Sequence, residues 1–171
     1  MKLSFPSEIN RNTVFETIEK ILLENKFNII NKDVERPWGG FFVINENQSE
    51  AFIKEYFSDL NQRDLFTGNK LSPKILVVEP GKRLSWQYHL RRAELWKVVD
   101  GDVGIVTSET NEENEMKKYS PDSIIKLKKG ERHRLIGLDT WGIIAEIWQH
   151  TDKNYPSDEE DIVRLQDDYG R

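Results

Sequence analysis

A chain of 171 residues with 37% hydrophobic and 32% charged side chains is sized for one folded domain with a proper core. Its net charge of −5 at pH 7 gives no reason to expect nucleic acid as a partner, and no run approaches the roughly 18 apolar residues of a membrane helix. The absence of cysteine excludes disulfides, thiolate metal sites and thiol nucleophiles. With no apolar signal core in the opening MKLSFPSEIN, the expectation is a cytoplasmic protein with no membrane partner.

Residues 13–27, TVFETIEKILLENKF, place Val14, Ile18, Ile21 and Leu22 at helical spacing, with Asn12 as the expected N-cap. Pro37 and Gly39-Gly40 then punctuate the chain, and FFVI reads as a short strand. From Ser49, SEAFIKEYFSDL sets Phe52, Ile53, Tyr56 and Phe57 on one face behind a capping serine, which predicts a second helix. Beyond Pro73 the texture is β-rich as far as residue 150. KILVVEP, ELWKVVDG, DVGIVTS, SIIKLKKG, HRLIGL and WGIIAEIWQ are separated by turn signals at Pro80-Gly81, Asp100-Gly101, Lys129-Gly130 and Gly137. This rhythm predicts an all-β sandwich or barrel carrying N-terminal α-helices. TSETNEENEMKKYSPD reads as an exposed connection between strands. The chain closes on an acidic tail whose DEED run at 158–161 reads as a solvated helix start.

The chemistry concentrates in SWQYHLRRAELWKVVDG. In a strand, Gln87 and His89 share one face, and Glu94, Trp96 and Val98 share a face of the next. If both faces line one interior, Gln87, His89 and Glu94 converge, and His133 can join them from a neighbouring strand. Two imidazoles, a carboxylate and an amide oxygen make a nitrogen/oxygen shell for a divalent metal ion: Zn foremost, with Mn, Fe, Co or Ni as alternatives. His150 has no place in that pattern and reads as a surface residue. Arg91 and Arg92 are adjacent, so alternation sends them to opposite sides. The five tryptophans read as core or dimer contacts before sugar platforms.

The run from Gly81 through Gln87, His89 and Glu94 to Gly101 resembles the first cupin motif, with Gln in place of its first His. The stretch from Asp122 to His133 resembles the second. More narrowly, RPWG at 36–39, PGKRLSWQYHLRRAELWKVVDG at 80–101, GERHRL around His133 and EDIVRLQDDYGR at 160–171 resemble the C-terminal domain of type II mannose-6-phosphate isomerases. The resemblance implies a double-stranded β-helix, the cupin jelly-roll barrel, over residues 35–171, with residues 1–34 as an N-terminal helical extension outside the match. It implies a metal on Gln87, His89, Glu94 and His133, and aldose–ketose isomerisation of a sugar phosphate, mannose 6-phosphate and fructose 6-phosphate first among them. Glu146 matches a glutamate of the family's last core strand and is the expected base. Arg92 matches the arginine of the metal motif and is expected to steady the enediolate or the phosphate. Arg134, Arg164 and Arg171 are further phosphate candidates.

The family usually reads H-H-H-R-A-E-H-W where this chain has Leu90, Arg91 and Leu95, with Lys128 and Gly137 as further departures in the second motif. Those first three positions are where a different substrate would be expected to register. Two other readings stand beside isomerisation. One is a non-catalytic cupin that binds a sugar or sugar phosphate. The other is an Fe(II) oxygenase, against which Gln87 and the DIVR…YGR ending both count. No Gly-rich nucleotide loop is present, so sugar-nucleotide synthesis by this chain is not expected, and small cupins of this kind imply a homodimer.

Overall fold

The computed structural model describes residues 3–65 and 70–171. Helix α1 (Arg11–Glu24) starts where the Asn10 side chain accepts the Asn12 N–H, so Asn10 and not Asn12 is the cap. It ends with Lys26 at φ +64°, while the N–H groups of Phe27 and Lys26 close onto the carbonyls of Leu22 and Leu23. Its buried stripe is Val14, Phe15, Ile18 and Leu22. Strands β1 (Ile29–Arg36) and β2 (Gly39–Ile44) form a hairpin. The first of these was not expected from INKDVER. It is an edge strand that fully buries none of its side chains, so it carries no long run of apolar residues. It also crosses residue 34, so the first 34 residues contribute a strand as well as a helix. Helix α2 (Ser49–Tyr56) follows, burying Phe52 and Ile53 as its spacing predicts.

The remaining strands are β3 (Lys74–Val78), β4 (Trp86–Tyr88), β5 (Arg92–Asp100), β6 (Val103–Ser108), β7 (Lys117–Tyr119), β8 (Ile124–Leu127), β9 (Arg132–Gly137), β10 (Gly142–His150) and β11 (Val163–Gln166). They complete two antiparallel sheets, β1-β2-β3-β10-β5-β8 and β11-β4-β9-β6-β7. Two facing antiparallel sheets with helices packed on one of them make the all-β architecture that the sequence rhythm predicts, and they agree with the double-stranded β-helix that the resemblance implies. The polar run at 107–122 is largely exposed and contains β7; no helix starts at 158–161. Among the described residues, no helix is long and apolar enough to cross a membrane.

Strands β3, β10 and β5 are buried on both faces, which is why they read as almost unbroken apolar runs. One face carries Ile75, Val77, Leu95, Ile143, Ala145 and Ile147, packed under the helices with Phe15, Phe52 and Phe57. The other carries Leu76, Val78, Trp96, Val98 and Ile144, and meets Val103, Ile105 and Leu135 of the second sheet. The turn between β5 and β6 depends on Gly101 at φ +71°. A Cβ there would stand 2.1 Å from the Trp141 carbonyl oxygen. The inner space is thus apolar toward that turn, and its polar residues gather at the opposite end.

Candidate metal centre and cavity

The polar end of the barrel is assembled by strand register. Glu146 of β10 pairs with Trp96 of β5 on one side and with Lys74 of β3 on the other, and Trp148 pairs with Glu94. In the facing sheet, Gln87 of β4 is the Cα partner of His133 on β9. His89 follows β4 at the bend into β5. Side-chain alternation therefore brings residues from both sheets into one small volume.

His89, Glu94 and His133 are buried, and each offers one ligand atom within 4.8 Å of the others. Nε2 of His89 is 3.1 Å from Glu94 Oε1, and Nε2 of His133 is 3.5 Å from Glu94 Oε2. The far side of each ring fixes its tautomer. His89 Nδ1 lies 2.6 Å from the Asp161 carbonyl and His133 Nδ1 lies 3.0 Å from the Glu131 carbonyl. A carbonyl oxygen only accepts, so each Nδ1 carries the hydrogen and each Nε2 turns a lone pair inward. His133 Nε2 and Glu94 Oε2 are fully buried with no hydrogen-bond partner among the described residues. Two unprotonated, buried lone-pair atoms facing each other are what a cation between them would satisfy, and two imidazoles with one carboxylate suit a divalent one. The residues fit a metal.

Protonation agrees with this. Burial lowers the His133 pKa to about 4, which keeps the ring neutral near pH 7. Burial works against ionisation of Glu94, but its neighbours, the permanent charge of Arg92 among them, prevail and hold its pKa well below the ordinary carboxylate value. Arg92 donates from Nε to Glu94 Oε1 at 2.8 Å, from Nη1 to the Ser157 hydroxyl and the Asp158 carbonyl, and from Nη2 to His89 Nε2 at 3.2 Å. Four of its five N–H bonds thus point at protein, and its guanidinium lies 3.6 Å from the Trp148 ring centroid.

Glu94 opens onto a cavity of about 110 Å³. Its walls include Gln87, Glu146, the indoles of Trp38, Trp96 and Trp148, and five cationic side chains: Arg36, Lys74, Arg92, Arg164 and Arg171. Both oxygens of Glu146 accept indole N–H groups, from Trp96 at 2.8 Å and from Trp148 at 2.9 Å. Burial, helped by the charge of Glu94, pushes its pKa up to about 7. Lys74 is nearly buried over Trp148 and pairs with the exposed Glu159 at the cavity wall.

Of the residues singled out from the sequence, the structure gathers His89, Glu94 and His133 in one cluster. It places Gln87, Arg92, Glu146, Arg164 and Arg171 around the adjoining cavity, with the Gln87 amide oxygen taken up by the Ser85 hydroxyl at 2.5 Å. Arg134 is not brought there. It is buried between strands, donating to the Leu84 carbonyl and pairing with Glu113 and Gln166. His150 is not a surface residue: it is 2% exposed, because it lies on the same inward face of β10 as Glu146 and Trp148. The DEED run is not solvated throughout either, since Asp161 is 3% exposed. Leu90, Arg91 and Leu95 miss the cavity. Leu95 faces the helices, Leu90 is exposed, and Arg91 pairs with Asp158 and stacks on Tyr155. Lys74 and Arg36 were missed. The one signal for Lys74 is a charge opening a strand that is otherwise wholly apolar and buried.

Residues 61–167 match the family model described as mannose-6-phosphate isomerase C-terminal. Similar curated proteins include a mannose-1-phosphate guanylyltransferase of Salmonella montevideo, 30% identical over 92% of this chain and 28% of its own length. The alginate biosynthesis protein AlgA of Pseudomonas aeruginosa is 30% identical over 81% of this chain and 23% of its own. The chain therefore spans about a quarter of the length of the curated relatives it matches. Among solved structures, the capsular polysaccharide assembling protein CapF of Staphylococcus aureus superposes with a TM-score of 0.53 at 19% identity. That match covers 80% of this chain and 34% of CapF, a likeness of fold.

Proposed function

The chain belongs to the mannose-6-phosphate isomerase C-terminal family, and from that premise we propose that it is a metal-dependent aldose–ketose isomerase of a sugar phosphate, with mannose 6-phosphate and fructose 6-phosphate as the first pair to test. The observation that carries this reading is the buried His89–Glu94–His133 cluster, with two orphaned lone-pair atoms, beside a cavity that holds a carboxyl group of pKa about 7. His89, Glu94 and His133 would hold the metal, with Gln87 nearby as a fourth oxygen donor once it turns from Ser85. A divalent ion there supplies Lewis-acid polarisation of the sugar carbonyl.

The remaining work falls to the chain's own side chains. Isomerisation moves a proton from the carbon beside the carbonyl to the carbonyl carbon, while the hydroxyl proton passes from the one oxygen to the other. Glu146 suits both halves, because a group of pKa near 7 exchanges its proton readily at neutral pH. Its two indole donors hold the carboxylate in one orientation without consuming it. Arg92 fixes Glu94 and keeps one N–H for the cavity. Arg164 and Arg171, with Arg36, offer planar donors for the phosphate. The buried indoles shield the reacting carbons from water.

The test is a panel of hexose phosphates offered to Zn-, Mn- and Co-loaded protein, with turnover followed by proton NMR. Interconversion abolished in His133→Ala supports isomerisation. Sugar-phosphate binding by calorimetry with no turnover under any metal would replace it with a binding cupin.

A further inference from the structure

Beside the metal cluster lies a second buried polar network, contributed by residues 150–161. The Asp161 carboxylate accepts the backbone N–H groups of Leu90 and Arg91, both at 2.9 Å, and the Ser157 hydroxyl at 2.6 Å. Its backbone carbonyl accepts His89 Nδ1–H. The Ser157 hydroxyl has given its one hydrogen to Asp161, so toward Arg92 Nη1, 2.9 Å away, it can only accept. The Ser157 N–H in turn donates to Nδ1 of the buried His150 at 2.9 Å, which leaves the His150 hydrogen on Nε2, toward the Ser72 hydroxyl. One segment thus grips four consecutive residues of the first metal motif: the His89 ring, the Leu90 and Arg91 amides, and the Arg92 guanidinium.

We infer that Asp161 is a positioning residue that sets the His89 tautomer and holds the His89–Arg92 turn in register with Glu94, and that Ser157 and His150 anchor it. This rests on reading His89 as a metal ligand. On its outer side the His89 ring is held by a backbone carbonyl, and that carbonyl stays in place because the Asp161 side chain ties its own peptide to the turn. A carboxylate suits the task, since it receives three donors at once without offering a hydrogen of its own. An outer partner of this kind typically sets metal affinity by about 10–100-fold.

Asp161→Asn keeps the volume but turns an NH2 group toward donors. In metal-free protein, long-range proton–nitrogen NMR should show His89 purely as the Nδ1–H tautomer in the wild type and as a mixture in the variant. By calorimetry Co²⁺ should bind the variant about 10–100-fold more weakly, with shifted absorption bands. Ser157→Ala, which removes only a hydroxyl, should move the same readouts in the same direction by several-fold, and it decides the matter if Asp161→Asn does not fold. Glu160→Gln, on the exposed face of the same turn, should change nothing. Wild-type Co²⁺ affinity, spectrum and tautomer in the folded variants would overturn the inference. A wild type that binds no Co²⁺ yet shows the tautomer shift in Asp161→Asn would remove the metal reading and leave the positioning role standing.

Discussion

In Glu146→Gln the two indole donors keep one oxygen acceptor while the titratable proton disappears. In the wild type, burial and then the charge of Glu94 raise the Glu146 pKa from an ordinary 4.5 to about 7. The folded state therefore holds this proton more tightly than the unfolded chain does. Its contribution to stability is fully present below pH 4.5 and is lost as pH rises through about 7. At about 1.36 kcal/mol per pH unit, the wild type should lose roughly 3 kcal/mol relative to the glutamine variant between pH 4.5 and 7.5. The assay is urea unfolding of both chelator-treated proteins across that range, because the difference between them cancels the titrating groups that do not sense Glu146. A difference that stays constant within about 0.5 kcal/mol across the range would refute the assignment, since it would mean that Glu146 ionises as freely when folded as when unfolded. In metal-loaded protein the same substitution should lower the kcat of the proposed isomerisation by about 10²–10⁴-fold.

Arg134→Met should cost about 1–3 kcal/mol of stability in urea, because the Leu84 and Gln166 carbonyls lose their donor while the exposed Glu113 returns to water. Its affinity for a sugar phosphate, read by tryptophan fluorescence, should not change. Arg164→Ala or Arg171→Ala should do the reverse. Each should weaken binding of a phosphorylated sugar about tenfold, leave the unphosphorylated sugar unaffected, and show a smaller loss at high salt; equal losses for both sugars would remove the phosphate role. Gly101→Ala should lower stability by at least about 2 kcal/mol, because the added methyl meets the Trp141 carbonyl in a backbone conformation that alanine avoids. A thermal scan that leaves the midpoint unmoved would show that the turn relaxes.

The convergence of His89, Glu94 and His133 was legible because a divalent site needs few residue types, and a chain with three histidines and no cysteine has few ways to assemble a candidate. The spacing of Gln87, His89 and Glu94 on successive strands did the rest. Asp161 and His150 were not legible. Their roles arise where the chain returns past the first metal motif about 60 to 70 residues after it, and no local periodicity encodes that return. The acidic run looked solvated because three of its four residues are; the fourth turns inward. Arg134 was misplaced for a related reason. An arginine next to His133 looks like a ligand-binding charge until its neighbours in space are known, and here Glu113 and Gln166 satisfy it. Strand β1 and the short β7 escaped because edge strands need no apolar alternation. The helices and the doubly buried strands stood out, since burial on two faces writes itself into composition.

Strands β3, β10 and β5 act as a party wall. Lys74, Glu94 and Glu146 hang on one side of it, and Ile75, Leu95, Ala145 and Ile147 support the helices on the other. Such a wall cannot be stripped from one side alone. A barrel trimmed of its first 34 residues would wet the apolar side of the very strands that set the spacing of the polar row. The helical layer is therefore part of the site's scaffolding, and a methyl group added beneath that layer, at Ala145, would be felt one residue away as a shift of Glu146.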